Sequence, residues 1–369
     1  MSRGAKLRRS PHLLSYWTDQ GMVTVNYAAG TAVINDAIVT HALSLCSDWT
    51  PAADLRRRLQ PVTRRPETLI RSMVDRELLI RSDRPQNPRS AAVATWGPWN
   101  PAASFFHLTS KNVRGPRDRT ARENMLRREF AVHGAPPKIK RYPRAATTSL
   151  PTVTREGEFR DVLLGRRTWR KFSPDAVGVD DIATLLHFTS GVQRTETAVG
   201  LGPVHLKTSP SAGARQPLET YLLAVNVDGL RAGLYHYLPV SHGLELIGKT
   251  ATTRTIAQYV PDQPWYESAA ALVIFTAVFA RTQWRYPFAR AYRSVLLEAG
   301  HVCQTFCLVA TWLGLAPFCT GRFADAVVER DIKVDGITES FVYGGGVGRR
   351  PAGLDWAPWP EATGPEADL

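Results

Sequence analysis

Residues 166–171, Arg-Arg-Thr-Trp-Arg-Lys, place four cations (Arg166, Arg167, Arg170 and Lys171) around the hydroxyl of Thr168. Guanidinium forks pair with phosphate oxygens at two points and the hydroxyl adds a donor, so this cluster suits phosphate; the alternative is a solvated basic face. The stretch Ser209–Arg215, SPSAGAR, is small and turn-forming and precedes an apolar run from Leu218 to Val225. Small side chains let backbone N–H groups approach a phosphate or a flat ring, and a plain tight turn is the other reading. In FVYGGGVGRRP, Gly344, Gly345, Gly346 and Gly348 follow a strand and precede Arg349 and Arg350. The spacing is not G-x-G-x-x-G and Pro351 blocks an immediate helix, which excludes a Rossmann site. A glycine turn with two arginines could still complete a phosphate pocket. Arg285 and Tyr286 precede a long helix: the phenol is a candidate acid or base and the guanidinium an anchor. Glu298 and His301, at i and i+3, read as a helix-surface polar pair. Cys303 and Cys307 lie one turn apart with no matching Cys/His pair nearby, so they read as core packing and no metal is expected. No H-E-x-x-H, G-x-S-x-G or P-loop occurs.

These residues need a scaffold, and 369 residues, 44% apolar and 21% charged, suit a globular chain of two domains. The longest apolar run, Ala269–Ala280, is too short to cross a bilayer and reads as a buried strand; no membrane role is expected. No signal-peptide core follows the basic N-terminus, and four cysteines make no disulfide framework, so a cytoplasmic protein is expected. The net charge of +13, dense at Arg56–Arg58, Arg64–Arg65 and Arg114–Arg144, favours acidic partners, either nucleic acid or an acidic peptide.

Residues 1–82 read as a winged-helix-like domain. Helical spacing falls at Ile38, Ala42 and Leu45; Thr50 is a candidate N-cap ahead of Pro51; Leu69, Ile70, Met73 and Val74 mark a third helix running into a strand, Leu78–Ile80. Such a unit could bind DNA, bind a peptide by strand addition, or only pack against the rest of the chain. Residues 83–150 read as a Pro/Arg-rich linker with a basic helix at Asp118–Phe130. Residues 151–369 read as an α+β core. Helices are predicted after Pro151 and near Asp180, strands at Leu218–Val227, Gly233–Tyr237 and Ala269–Ala280, then a helix from about Phe288 to Leu313 with apolar positions every three to four residues, and a last strand SFVYGG.

Read in order, RRTWRKF, TSPSAGARQPLETYLLAVNVDGLRAGLYHYLP, RTQWRYPFARAYRSVLLEAGHVCQTFCLVATWLGLAPFCTG and YGGGVGRRP resemble the flavin-dependent nitroreductase superfamily. More narrowly they are similar to the SagB-type dehydrogenases, which oxidise azoline rings (thiazoline or oxazoline) in ribosomal peptide natural products. The resemblance covers roughly residues 160–352. It implies a nitroreductase-like FMN-binding fold, a central sheet flanked by helices, and a homodimer with FMN at its interface. By position, Arg166, Arg167, Thr168 and Arg170 would hold the phosphate and ribityl chain. Ser211, Ala212 and Gly213 would sit against the flavin, Thr320 and Gly321 would face the ring, and Arg349 and Arg350 would return to the phosphate. The family's catalytic Lys-Tyr pair reads Arg285-Tyr286 here; arginine is a poor proton acceptor, which leaves Tyr286 as the base. The implied partners are a precursor peptide and a cyclodehydratase complex, with no nucleic acid. Two other functions stay open: an FMN-dependent oxidoreductase of another peptide or a small molecule using NAD(P)H, and a non-enzymatic scaffold that binds a leader peptide or nucleic acid.

Overall fold

In the computed structural model the described residues are 4–111, 156–198, 202–248 and 251–354, together with Asn124 and Arg127. The basic helix expected at Asp118–Phe130 lies outside them, save for those two positions, as does most of the linker stretch. The chain divides into two compact units. The first comprises Met1–Lys111, Val278–Val295 and Val334–Ser340; the second comprises Asn112–Ala277, Leu296–Lys333 and Phe341–Leu369.

In the first unit Lys6–Arg9 (β1) pairs antiparallel with both Thr50–Pro51 (β5) and Leu79–Arg81 (β6). Helices Ala37–Leu45, Ala52–Leu59 and Pro66–Asp75 pack on this sheet around Leu7, Leu43, Cys46, Leu55, Leu59 and Met73. The three helices and the strand Leu79–Arg81 lie where the sequence pattern put them. The meander Leu13–Thr18 (β2), Gly21–Asn26 (β3) and Thr31–Ile34 (β4) was not anticipated. Thr50 is not the helix cap: Pro51 holds that position, and the Thr50 hydroxyl donates to the Leu45 and Asp48 carbonyls. Nor are residues 83–111 loop, since Pro88–Ala94 and Asn100–Ser110 are helices.

An aromatic box gathers the three segments of this unit. Trp96 stacks on His107 with centroids 4.9 Å apart, and both rings contact Phe279 and Tyr292. The indole N–H of Trp96 donates to Ile337 O, and that of Trp99 to Tyr286 O. His107 sits between the Tyr292 hydroxyl and Gly336 O, and burial pushes its pKa down to about 3. The ring is therefore neutral at physiological pH, with Nε2–H donating to the carbonyl and Nδ1 accepting from the phenol.

The second unit is built on a six-stranded sheet. Its order is Gly243–Gly248 (β13), Gly233–Leu238 (β12), Leu218–Ala224 (β10), Ala271–Val278 (β14), Glu339–Arg349 (β16) and Leu315–Thr320 (β15). β10 and β14, at its centre, are almost wholly buried, as strands covered on both faces are. Val177–Gly178 (β7) pairs in parallel with Val227–Asp228 (β11), and Arg194–Ala198 (β8) forms a hairpin with Gly202–Leu206 (β9). Pro317 lies in β15, an edge strand that can spare an N–H.

Helices Val179–Ser190 and Ala291–Trp312 flank this core. The latter is long and apolar enough to cross a membrane by length and composition alone. Its Val295, Ala299, Val302 and Phe306 are buried instead, at the spacing expected of a core helix.

The glycine run corrects an expectation. Gly344, Gly345, Gly346 and Gly348 form no turn; they lie within β16, antiparallel to β15. An added Cβ at Gly345 would meet Phe318 O at 2.3 Å, at Gly346 the Phe318 ring at 2.6 Å, and at Gly348 the Phe172 ring at 2.6 Å. The glycines are there so that rings can lie flat on the strand. Gly345→Ala, whose obstacle is backbone, should cost about 3 kcal/mol in urea denaturation, as overpacking does. An unchanged midpoint would show that the two strands can separate without penalty.

Candidate functional site

The basic cluster begins where helix Glu158–Gly165 ends. The segment that follows runs beside the sheet edge: Trp169 N donates to Pro317 O and Ser173 N to Arg349 O. Arg166, Arg167, Thr168 and Arg170 are thereby held half-buried next to β15 and β16. Arg167 turns back and donates to Leu164 O and Arg166 O, closing the helix end. Arg170 reaches the Tyr266 phenol, whose ring lies flat on Phe318 with centroids 3.7 Å apart. Neither the Arg166 guanidinium nor the Thr168 hydroxyl hydrogen-bonds to another described residue. Two adjacent half-buried donors without an acceptor among the described residues are what an anion site offers.

Arg349 and Arg350 do meet the first cluster, but they serve the protein. Arg350 stands 5.5 Å from the Trp169 ring centroid and donates to Leu315 O and Thr311 O, capping the carbonyl end of the long helix. Arg349 donates to Ala176 O and lies 3.7 Å from Asp181. Each guanidinium thus commits part of its five N–H donors to backbone or carboxylate partners.

The SPSAGAR turn packs on the same helix. Gly213 has φ +59°, and Ala214 and Gln216 follow in the same left-handed region, a tight reversal that glycine makes accessible. The Ser211 hydroxyl accepts from Gln216 N, and Ser209 exchanges a 2.8 Å hydrogen bond with Thr305. Under the turn lies Glu298, 3% exposed, accepting from the Ser211 hydroxyl and the Ala212 N–H. The surface-pair reading of Glu298 and His301 is thus half wrong: His301 is exposed, while Glu298 is buried by a turn from far away in the sequence.

Burial raises the Glu298 pKa to about 7 against those hydrogen bonds and the nearby Lys207 charge. The folded chain holds this proton more tightly than the unfolded one. Its stabilising contribution is full below about pH 4.5 and is lost as the pH rises to about 7, a change of roughly 3 kcal/mol. Glu298→Gln should flatten that slope in urea melts at about pH 5 and about pH 8. An equal slope in both proteins would show that Glu298 titrates normally.

At the end of β15, Thr320 donates to Gln263 Oε1 and accepts from Arg322 N, and Gly321 faces open space. Residues 296–312 of the long helix tie these pieces together within the second unit. Glu298 carries the turn, Cys307 lies within the electrostatic reach of Arg166, and Thr311 anchors Arg350. Glu298 and Thr311 are about 20 Å apart along the axis. Arg285 and Tyr286 fold with the first unit: Tyr286 is half-buried and hydrogen-bonded through its backbone to Thr282 and Trp99, and the Arg285 guanidinium stands 6.0 Å from its ring centroid.

Comparison with known proteins gives a match to the nitroreductase family over residues 163–349. The chain is 31% identical over 185 residues to MJ1384 of Methanocaldococcus jannaschii, a protein with a nitroreductase name, covering 50% of this chain and 88% of that one. It is 29% identical over 171 residues to the trifolitoxin-processing protein TfxB of Rhizobium leguminosarum bv. trifolii, covering 45% and 46%. It is 30% identical over 132 residues to the microcin B17-processing protein McbC of Escherichia coli, covering 34% and 48%. The chain spans about half the length of TfxB and of McbC.

Proposed function

Since the chain belongs to the nitroreductase family, we propose that it is an FMN-dependent dehydrogenase of the SagB type, oxidising azoline rings in a ribosomally made peptide to azoles. The observation that carries this reading is the pair of half-buried donors, Arg166 and Thr168, without an acceptor among the described residues and on the same helix framework as the SPSAGAR turn. The kinship to two proteins named for processing trifolitoxin and microcin B17 supports a peptide substrate.

The donor set fits a flavin mononucleotide. Arg166, Arg170 and Thr168 would hold its phosphate and ribityl chain, with Arg167 fixing the helix end beside them. Ser211, Ala212, Gly213, Thr320 and Gly321 would lie against the ring. Arg349 and Arg350 would act through Asp181, Trp169 and the helix carbonyls, positioning the cluster. Bound FMN would supply the two-electron acceptor for the ring oxidation. Tyr286 would take the azoline proton, with Arg285 beside it. The second unit also exposes Phe159, Leu163, Leu164 and Leu297, an apolar surface that suits the expected homodimer.

In the first unit a groove of about 970 Å³ between helix Pro66–Asp75 and the sheet is lined by Arg56, Glu67, Arg71, Asp75, Arg81 and Arg84. Its arginine excess and the edge strand β6 suit an acidic precursor segment added as a further strand, delivered by a cyclodehydratase complex, rather than nucleic acid. We place the reaction in the cytoplasm, which suits four free thiols.

The test is incubation with an azoline-containing peptide under air. The expected product has lost two hydrogens per ring; an unchanged peptide mass with flavin-loaded protein would overturn the proposal. A second reading, reduction of a small molecule with NAD(P)H, is favoured by the similarity to MJ1384 over nearly all of that protein. It expects NADPH to bleach the flavin without any peptide.

A further inference from the structure

Three of the four cysteines meet at one point. Cys303 and Cys307, one turn apart on the long helix, are joined by Cys319 from β15, and the three sulfurs lie within 4.8 Å of one another. Each thiol contacts the other two, and the Tyr343 hydroxyl of β16 bonds to Cys319. Cys303 and Cys307 are buried, while Cys319 is partly accessible and offers a way in. The partner that turns a helical Cys pair into a trio comes from a neighbouring strand, which is why spacing alone read as packing.

We propose that these three thiols form a binding site for a single soft, thiophilic closed-shell cation, zinc or univalent copper. A trigonal three-thiolate complex with metal–sulfur bonds of about 2.3 Å sets its sulfurs about 4 Å apart, inside the observed spread. The donor set is all sulfur, which selects soft ions over calcium, magnesium or manganese. Binding displaces three thiol protons into solvent and moves no electrons. The resulting complex carries two net negative charges with univalent copper and one with zinc, and the Arg166 cation near Cys307 and Cys319 offsets part of this charge. Zinc completes a fourth position, for which an oxygen ligand such as water or the adjacent phenol is suited. Simple core packing would also bury small sulfurs, but it gives no reason for them to converge. The bound ion would pin the helix to the strand that ends at Thr320. The proposal stands on sulfur geometry and needs no flavin.

The test uses the full chain as purified, reduced and held without oxygen. One arm is dialysed against Zn²⁺ and another against buffered Cu⁺, and retained metal is counted by mass spectrometry. At least one arm should hold about one equivalent per chain, with a sulfur shell near 2.3 Å by X-ray absorption and three thiols shielded from alkylation. Cys319→Ser should fall to about one tenth of that retention, while Cys46→Ser, in the other unit, should keep it. Less than about a tenth of an equivalent in both arms would overturn the proposal, as would a nitrogen or oxygen shell. So would full retention by Cys319→Ser. Should the serine variant fail to fold, stoichiometry, shell and alkylation of the unsubstituted protein still decide.

Discussion

The Arg166→Ala, Arg170→Ala double variant should bind FMN about a thousandfold more weakly than the unsubstituted protein, taking about 2 kcal/mol for each lost charge-assisted contact. The Arg166 guanidinium hydrogen-bonds to no described residue, so its removal breaks no side-chain bond among them. Arg170 touches the Tyr266 phenol, so the single Arg170→Ala variant should also show a modest loss of stability. The measurement is FMN titration of apoprotein by fluorescence quenching. Arg350→Ala gives the contrast. Its guanidinium ties the last turn of the long helix, through Thr311 O, to the start of β15, through Leu315 O, so the variant should lose thermal stability more than FMN affinity. Equal FMN affinity in the double variant and the unsubstituted protein would remove this cluster from the cofactor site.

The second large effect is expected for Tyr286→Phe. If the phenol takes the azoline proton, azole formation should slow by about a thousandfold with FMN content unchanged. The backbone of Tyr286 is fixed by Thr282 and Trp99, and its ring meets Phe288, so losing one hydroxyl should leave the segment in place. Arg285→Lys is the informative companion. The family pair would be restored, and a faster rate would mark Arg285 as tuned to a different substrate. Full azole formation by Tyr286→Phe would assign the base elsewhere.

Local pattern announced much of this molecule. The three-to-four spacing of Val295, Ala299, Val302 and Phe306 marked the long helix, and the apolar run from Ala269 marked the central strand. The basic cluster and the small-residue turn were visible from residue type, because unusual density of one chemistry is a local signal.

What escaped depends on distant partners. Glycines read as a turn until Phe318 and Phe172 occupy the space their side chains would need. Glu298 reads as surface until Ser211 and Ala212 fold over it. Nothing near Arg350 in the sequence announces that its guanidinium meets the carbonyls of Thr311 and Leu315. The first unit is assembled from three separated segments, which long-range contacts such as those of Trp96 and His107 with residues 279, 292, 336 and 337 reveal.

The central claim is that the second unit holds a flavin mononucleotide. Its most direct test is the visible absorbance of the purified full chain, with the cofactor released by heat and identified by mass. A flavin spectrum with about one FMN per chain is expected, either as purified or after reconstitution. A folded protein that stays colourless after incubation with excess FMN would contradict it.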